Sequence, residues 1–269
     1  VLLKEIAEHP GIEDRLLIHP HAAVIYQHHK DAENVRSEGT TKTGSTQKGC
    51  GAALADKIMR RGNVAMNDER LKPFVDSINL VRAIQDGQNV IVEVPQGFSL
   101  SLNSGFYPHV TSREVSVSQA LSDAGLPPWI AGPVLMTTRT YPIRVGHIKD
   151  ANGEIIGNSG PVYYDQKELS WEELGLEPEL TTVTKRVRRV FSFSEDQTAH
   201  AVETLDPRVI FLNFCNYLKS VEALEEIVGI LTSVNDYIDI YFGFGPSVTD
   251  ITDDYEEAKK RVKAQNENR

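Results

Sequence analysis

The chain has 269 residues, a formal net charge of −10, 40% hydrophobic and 25% charged residues, and is long enough to bury a large core. The acidic balance argues against a nucleic-acid-binding surface, and no apolar run approaches the length of a membrane span. Two cysteines, Cys50 and Cys215, make no disulfide framework, and with no signal peptide visible the expectation is a cytoplasmic protein.

In chain order, Val1 to Glu8 reads as the tail of a helix stopped at His9-Pro10-Gly11. Leu16 to Ile18 and Ala22 to Tyr26 read as short buried strands around His19-Pro20. Ser37 to Gly51 is a polar, glycine-bearing loop, and Ala52 to Arg61 a helix with Gly62 placed as its C′ residue. Phe74, Ile78, Val81 and Ile84 recur at helical spacing, which predicts an amphipathic helix from Glu69 to Gln85. Asn89 to Val94 reads as a buried β-branched strand ending at Pro95, and Ser118 to Asp123 as a helix. Val134 to Thr140 is a strand, Ser170 and Glu173 have capping-box spacing, and Arg186 to Ser194 alternates as a strand does. Helix Glu195 to Leu205, strand Val209 to Phe214, helix Val221 to Thr232 and strand Tyr237 to Phe242 follow, with a charged helix from Val248. Strands separated by helices predict an α/β fold, a central mostly parallel sheet flanked by helices.

Four segments carry chemistry. Gly44-Ser45-Thr46-Gln47-Lys48-Gly49-Cys50-Gly51 puts glycines, hydroxyls and a lysine ahead of a helix, as a phosphate requires; the same composition also suits a flexible linker, and the Walker A order is absent. Gln96-Gly97 stands past the strand at Val94, where α/β sheets place ligands. Thr181 to Arg189 holds four basic residues in its last five. It suits a nucleic-acid patch, a solvated face, or a loop for small dicarboxylates and phosphates, and the acidic chain favours the last. Phe211 to Asn216 closes a strand with an amide that both donates and accepts. His19, His21, His28 and His29 lack zinc-site spacing.

These segments resemble the adenylosuccinate synthetase family. Val92-Glu93-Val94-Pro95-Gln96-Gly97 with Phe106-Tyr107-Pro108-His109-Val110-Thr111-Ser112-Arg113 is similar to "EGxQG … YPxVTSR". Gly44 to Gly62 is similar to "GTTGRGIGPAYxDKxxRxG", and Thr181 to Arg189 to "TVTGRRRRVGW". Phe211 to Asn216 stands where the family has "TKLD", and Gly243-Phe244-Gly245-Pro246 resembles its late "GP" turn. The departures are Lys48 for Arg, Lys185 for Gly, Asn216 for Asp, and Phe191-Ser192-Phe193-Ser194 for "GWxD".

The resemblance implies a fold related to P-loop NTPases and one synthetase domain over residues 1–269. It implies that the family's opening phosphate loop, with its catalytic Asp and His, lies upstream of Val1, so this polypeptide alone is expected to have no turnover. Thr46, Lys48, Arg60, Gln96, Thr111 and Arg186 would bind the purine nucleotide, Arg60 reaching into a partner subunit's site. Val183, Thr184 and Arg186 would bind L-aspartate; Arg188, Asn216, Gly245 and Pro246 would bind the nucleoside triphosphate. The implied reaction joins L-aspartate to C6 of a 6-oxopurine nucleotide in a homodimer with Mg²⁺. The acceptor is IMP with GTP as donor, or dGMP with an adenine nucleotide. Because Asn216 does not enforce guanine, ATP is an expected donor. A non-catalytic nucleotide-binding homologue is the remaining alternative.

Overall fold

The computed structural model describes residues 1–36, 46–182 and 185–267. Of these, 1–36, 47–93 and 124–126 belong to one unit and 46, 94–123, 127–182 and 185–267 to a second.

Helices and turns build the first unit. Helix α1 (Leu2–Glu8) ends before Pro10, and α2 (Gln27–Arg36) precedes α3 (Cys50–Ile58) and the short α4 (Leu80–Gln85). The strands expected at Leu16–Ile18 and Ala22–Tyr26 are reduced to two isolated bridges, Ile18 with Val75 and Ala23 with Val64. Helix α2 occupies sequence with no apolar stripe to announce it. Its start is built by His29, whose Nδ1 accepts from the Tyr26 amide at 2.9 Å, as an N3 side chain does in a capping box.

Two further expectations fail here for local reasons. The helix predicted from Glu69 to Gln85 is broken: Lys72–Phe74 is a 3₁₀ turn containing Pro73, and α4 starts only where Asn79 caps the Arg82 amide at 2.9 Å. The left-handed residue after α3 is Arg60 (φ 59°), not Gly62. Arg61 N–H bonds to Asp56 O and Arg60 N–H to Lys57 O, both at 2.9 Å, which is a Schellman closure with an arginine at C′. Gly62 is demanded by proximity instead, since a Cβ there would lie 2.9 Å from the Lys57 nitrogen.

The segment 89–94 forms no strand. Among the described residues it pairs with no strand, and Ile91 is 91% exposed. A β-branched run expresses its preference only against a neighbouring strand, and none of the described residues supplies one.

The second unit is the α/β part. Helix α5 (Val117–Asp123) precedes β1 (Leu135–Arg139); β2 (Ile143–Arg144), the hairpin β3 (Ile148–Lys149) and β4 (Ile155–Gly157), β5 (Glu168–Leu169), α6 (Trp171–Leu174) and β6 (Arg189–Phe191) follow. Then come α7 (Glu195–Leu205), β7 (Val209–Asn213), α8 (Val221–Val234), β8 (Asp239–Gly243), β9 (Ile251–Thr252) and α9 (Tyr255–Glu267). The main sheet has the order β1-β7-β8-β9, with β1, β7 and β8 parallel and β9 antiparallel. A small antiparallel sheet has the order β2-β6-β5. The final helix starts at Tyr255, later than its charge pattern suggested, because Ile251–Thr252 pairs with β8 first.

Burial follows the two periodicities. In β7, Ile210 and Leu212 are fully buried while Val209, Phe211 and Asn213 are half-buried on the opposite face. Leu224, Ile227 and Leu231 recur along one face of α8 and join Phe242, Ala258 and Val262 in the same core. Each such aliphatic side chain contributes about 1.5–3 kcal/mol of burial. The smaller sheet rests on Trp171, Leu174 and Val190, and the predicted capping box is present: Ser170 Oγ accepts from Glu173 N–H at 3.0 Å and Glu173 Oε2 from Ser170 N–H at 2.7 Å.

Candidate functional site

Parallel strands aim their carboxyl ends one way, and loops there are free to meet a ligand. In the second unit, the ends of β1, β7 and β8 bring together Arg139 and Thr140, then Asn213 to Asn216, then Gly243 to Pro246. Thr140 Oγ1 donates to Phe214 O at 2.8 Å, and the Arg139 guanidinium lies 3.6 Å over the Phe214 ring. Arg139 also pairs with Glu179, which accepts from the Tyr217 hydroxyl at 3.2 Å. Asn216 sits half-buried in the 3₁₀ turn just past β7, while Gly245 and Pro246 are exposed just past β8. Gly245 cannot be replaced freely, because a Cβ would meet Asp250 Oδ2 at 2.5 Å. A cavity of about 680 Å³ lies at the opposite, amino ends of these strands, lined by Val134, Asp206, Arg208 and Tyr237 among others. None of the residues named from sequence reaches it, and sheet polarity favours the carboxyl end.

The arginine-rich loop is clamped at both flanks. Thr181, 3% exposed, receives the Arg186 amide on Oγ1 at 2.9 Å, and Trp171 Nε1 donates to Arg188 O at 2.8 Å. Arg186 Nη1 donates to Gly146 O at 3.3 Å, and a Cβ on Gly146 would lie 2.2 Å from Val187 O, so only glycine lets these loops touch. Arg189 is neutralised by a two-pronged contact with Glu168 (2.8 and 2.6 Å), which holds that carboxyl below its ordinary range. Val183 and Thr184 lie outside the described residues.

Gln96 precedes the turn Phe98–Leu100, and the Thr111 amide donates to Leu100 O at 2.7 Å, which draws the two halves of that block together. Arg144, on β2, donates from Nη2 to His109 O at 3.1 Å and from Nη1 to Pro161 O at 2.8 Å. The sequence reading singles out neither Arg144 nor Arg139. The available signal was a single cation beside Gly146 in an otherwise uncharged run from Thr140 to Gly146.

Thr46, in the second unit, is exposed, and so are Lys48 and Arg60 in the first. The amides at the start of α3 are already engaged: Gly49 N–H donates to Glu33 Oε2 at 2.7 Å and Gly51 N–H to Oε1 at 2.9 Å. Burial and the Glu33 charge push the Cys50 thiol up, away from nucleophilic use. His28, His29 and Asp56 bring ligand-type atoms within 4.8 Å of one another. His29 Nδ1 accepts from the backbone and its Nε2 lies 3.4 Å from Asp56, so in the neutral ring the proton belongs on Nε2 and His29 itself offers a metal no free lone pair. This trio does not suit Mg²⁺, which prefers oxygen ligands.

Six described residues other than glycine have left-handed φ: Gln47, Arg60, Gln96, Lys185, Asp206 and Phe214. Two are candidate ligands themselves, Arg60 and Gln96. Gln47 separates Thr46 from Lys48, Lys185 adjoins Arg186, and Phe214 is two residues before Asn216. Each such conformation costs roughly 1–3 kcal/mol and persists where surrounding structure enforces it. Only Asp206 stands apart from the residues singled out by sequence.

The family model of adenylosuccinate synthetase matches residues 1–68 and 63–229. The chain belongs to the adenylosuccinate synthetase family. Members are carbon–nitrogen ligases of purine biosynthesis, and the chain is similar to two of their branches. It is 40% identical to the N6-succino-2-amino-2'-deoxyadenylate synthase of Salmonella phage PMBT28, over 88% of this chain and 71% of that protein. It is 36% identical to the adenylosuccinate synthetase of Methanococcus aeolicus, over 73% of this chain and 56% of that protein. The succinoaminodeoxyadenylate synthetase of cyanophage S-2L, solved with dGMP and with dATP as energy donor, superposes with TM-score 0.82 at 36% identity, covering 97% of this chain and 76% of that one. The Plasmodium falciparum adenylosuccinate synthetase shares the fold at TM-score 0.76 and 16% identity. Among the described residues, no helix is long and apolar enough to cross a membrane.

Proposed function

We propose that this family member joins L-aspartate to C6 of dGMP at the expense of ATP or dATP, as an N6-succino-2-amino-2'-deoxyadenylate synthase. The observation that carries the reading is Asn216 at the carboxyl end of β7, where the family pattern has an aspartate that reads guanine. A carboxylate accepts two hydrogen bonds from guanine's N1–H and 2-amino group; an amide donates as well as accepts and so admits adenine. The greater similarity to the phage synthases supports the same acceptor.

In this reading Thr46, Lys48, Gln96 and Thr111 hold the acceptor nucleotide, Val183, Thr184 and Arg186 hold L-aspartate, and Arg188, Asn216, Gly245 and Pro246 hold the donor. The donor's γ-phosphoryl group passes to O6 of the purine as the N1 proton is lost to solvent, releasing the nucleoside diphosphate. The aspartate amine then forms the bond to C6 while the C6–O bond breaks, phosphate leaves, and the amine proton goes to solvent. The arginine loop contributes positioning and cationic stabilisation of the departing phosphate. Mg²⁺ enters only as a companion of the donor's phosphates, with no described residue assigned to it. Arg60, exposed between Met59 (61% exposed) and Arg61 at the end of α3, would serve a second copy of the chain in a homodimer.

On a protein that includes the family's opening phosphate loop, the test is a matrix of IMP, GMP and dGMP against ATP, dATP and GTP, with L-aspartate and Mg²⁺, read by product chromatography and mass. Succinylated product from dGMP with an adenine donor is expected. Product from IMP and GTP alone would replace this reading with ordinary adenylosuccinate synthesis.

A further inference from the structure

Arg144 is held in an unusual way. Among the described residues no carboxylate lies within ion-pair distance of it, and its guanidinium donates to the backbone carbonyls of His109 and Pro161. Across the β2–β6 ladder it faces Arg189, whose own charge is met by Glu168, so this neighbour brings Arg144 no counter-charge. Burial first, and then the Arg189 charge, pull its pKa below the usual arginine range. A fold that tolerates this cation without a counter-charge has a use for its directional bonds.

Those bonds tie β2, the strand paired with β6 at the end of the arginine loop, to the nucleotide block. His109 lies two residues before Thr111, and Phe106 of the same block has its ring centroid 6.0 Å from the Arg144 guanidinium. On the other side, Arg144 pairs in register with Arg189, and two residues further Gly146 O receives Arg186. Pro161 leads to Tyr163, whose hydroxyl donates to Ser99 Oγ at 3.0 Å, three residues past Gln96. Gly160 (φ 107°) makes the junction possible: a Cβ would lie 2.8 Å from His109 Cβ and 3.0 Å from both Arg144 Nη atoms.

We propose that Arg144 is a positioning residue that couples the nucleotide block at Gln96–Thr111 to the arginine loop at Arg186, so that a bound purine nucleotide tightens the binding of L-aspartate. This rests on the substrate assignment above. The guanidinium bonds fix β2 to the nucleotide block, the β2–β6 ladder carries a shift on to the arginine loop, and linkage makes the effect reciprocal.

Calorimetric titration of L-aspartate into the full chain, alone and saturated with dGMP or IMP, measures the coupling. With the native residue, nucleotide is expected to tighten aspartate on the order of tenfold. Arg144→Gln should bring that ratio close to one while each ligand still binds alone. Arg144→Lys, which keeps the charge and the fold but reaches one carbonyl, should retain part of it. An undiminished ratio in both variants, or no coupling in the unaltered chain that binds both ligands, overturns the inference. Failure of the unaltered chain to bind nucleotide and aspartate at all overturns the substrate assignment, and this inference with it.

Discussion

The Glu33 carboxylate receives the backbone amide of Gly49 at 2.7 Å, and its other oxygen receives Gly51 at 2.9 Å. A side chain of α2 thus occupies the anion position at the start of α3. Charged hydrogen bonds to helix-start amides are worth about 1–2 kcal/mol here. Glu33→Ala should lower stability by about that amount in chemical denaturation, and Glu33→Gln by less. An unchanged midpoint would mean the contact contributes nothing.

Gly146 is the point where the arginine loop touches the β2 turn. A methyl group there would lie 2.2 Å from Val187 O and 3.4 Å from Arg186 Cβ. Gly146→Ala should cost about 1–3 kcal/mol of strain and displace Arg186. Aspartate affinity should fall at least as steeply as nucleotide affinity, which parallel titrations would reveal.

Cys215 has no exposed surface, its Sγ donates to Leu212 O at 3.2 Å, and burial pushes its thiol up to about 12. In the unfolded chain the thiol ionises near ~8.5. Between those values the native state holds the extra proton, so stability falls as pH rises. Cys215→Ala should flatten that part of the alkaline stability profile. A thiol reagent should modify exposed Cys50 in the native protein and Cys215 only after unfolding.

Asn216→Asp should move donor preference from adenine towards guanine nucleotides. Restoring a carboxylate opposite guanine's two donors is worth about 1–3 kcal/mol of discrimination, tenfold or more. Competition between ATP and GTP in product formation would measure it. An unmoved preference would show that another group reads the base.

Lys185 illustrates how a departure from the family pattern is read in three dimensions. The pattern has glycine there, and the chain keeps the left-handed φ of 53° that glycine favours. Lysine therefore carries a strain that glycine would not, and the Thr181 carbonyl accepts the Lys185 amide at 3.1 Å.

Local chemistry determined a good part of this protein from sequence. Helix α7, strand β7, helix α8 and the Ser170–Glu173 box stand where periodicity and capping placed them, because each depends on neighbours within a few residues. The family motifs were readable for the same reason. What the tertiary structure decided are matters of partnership. The run at 89–94 forms no strand because none of the described residues pairs with it. Glu33 on the Gly49 amide and Arg144 on the His109 carbonyl join residues 16 and 35 positions apart. No local pattern encodes such pairs, since hydrogen-bond partners distant in sequence exist only once the chain has folded.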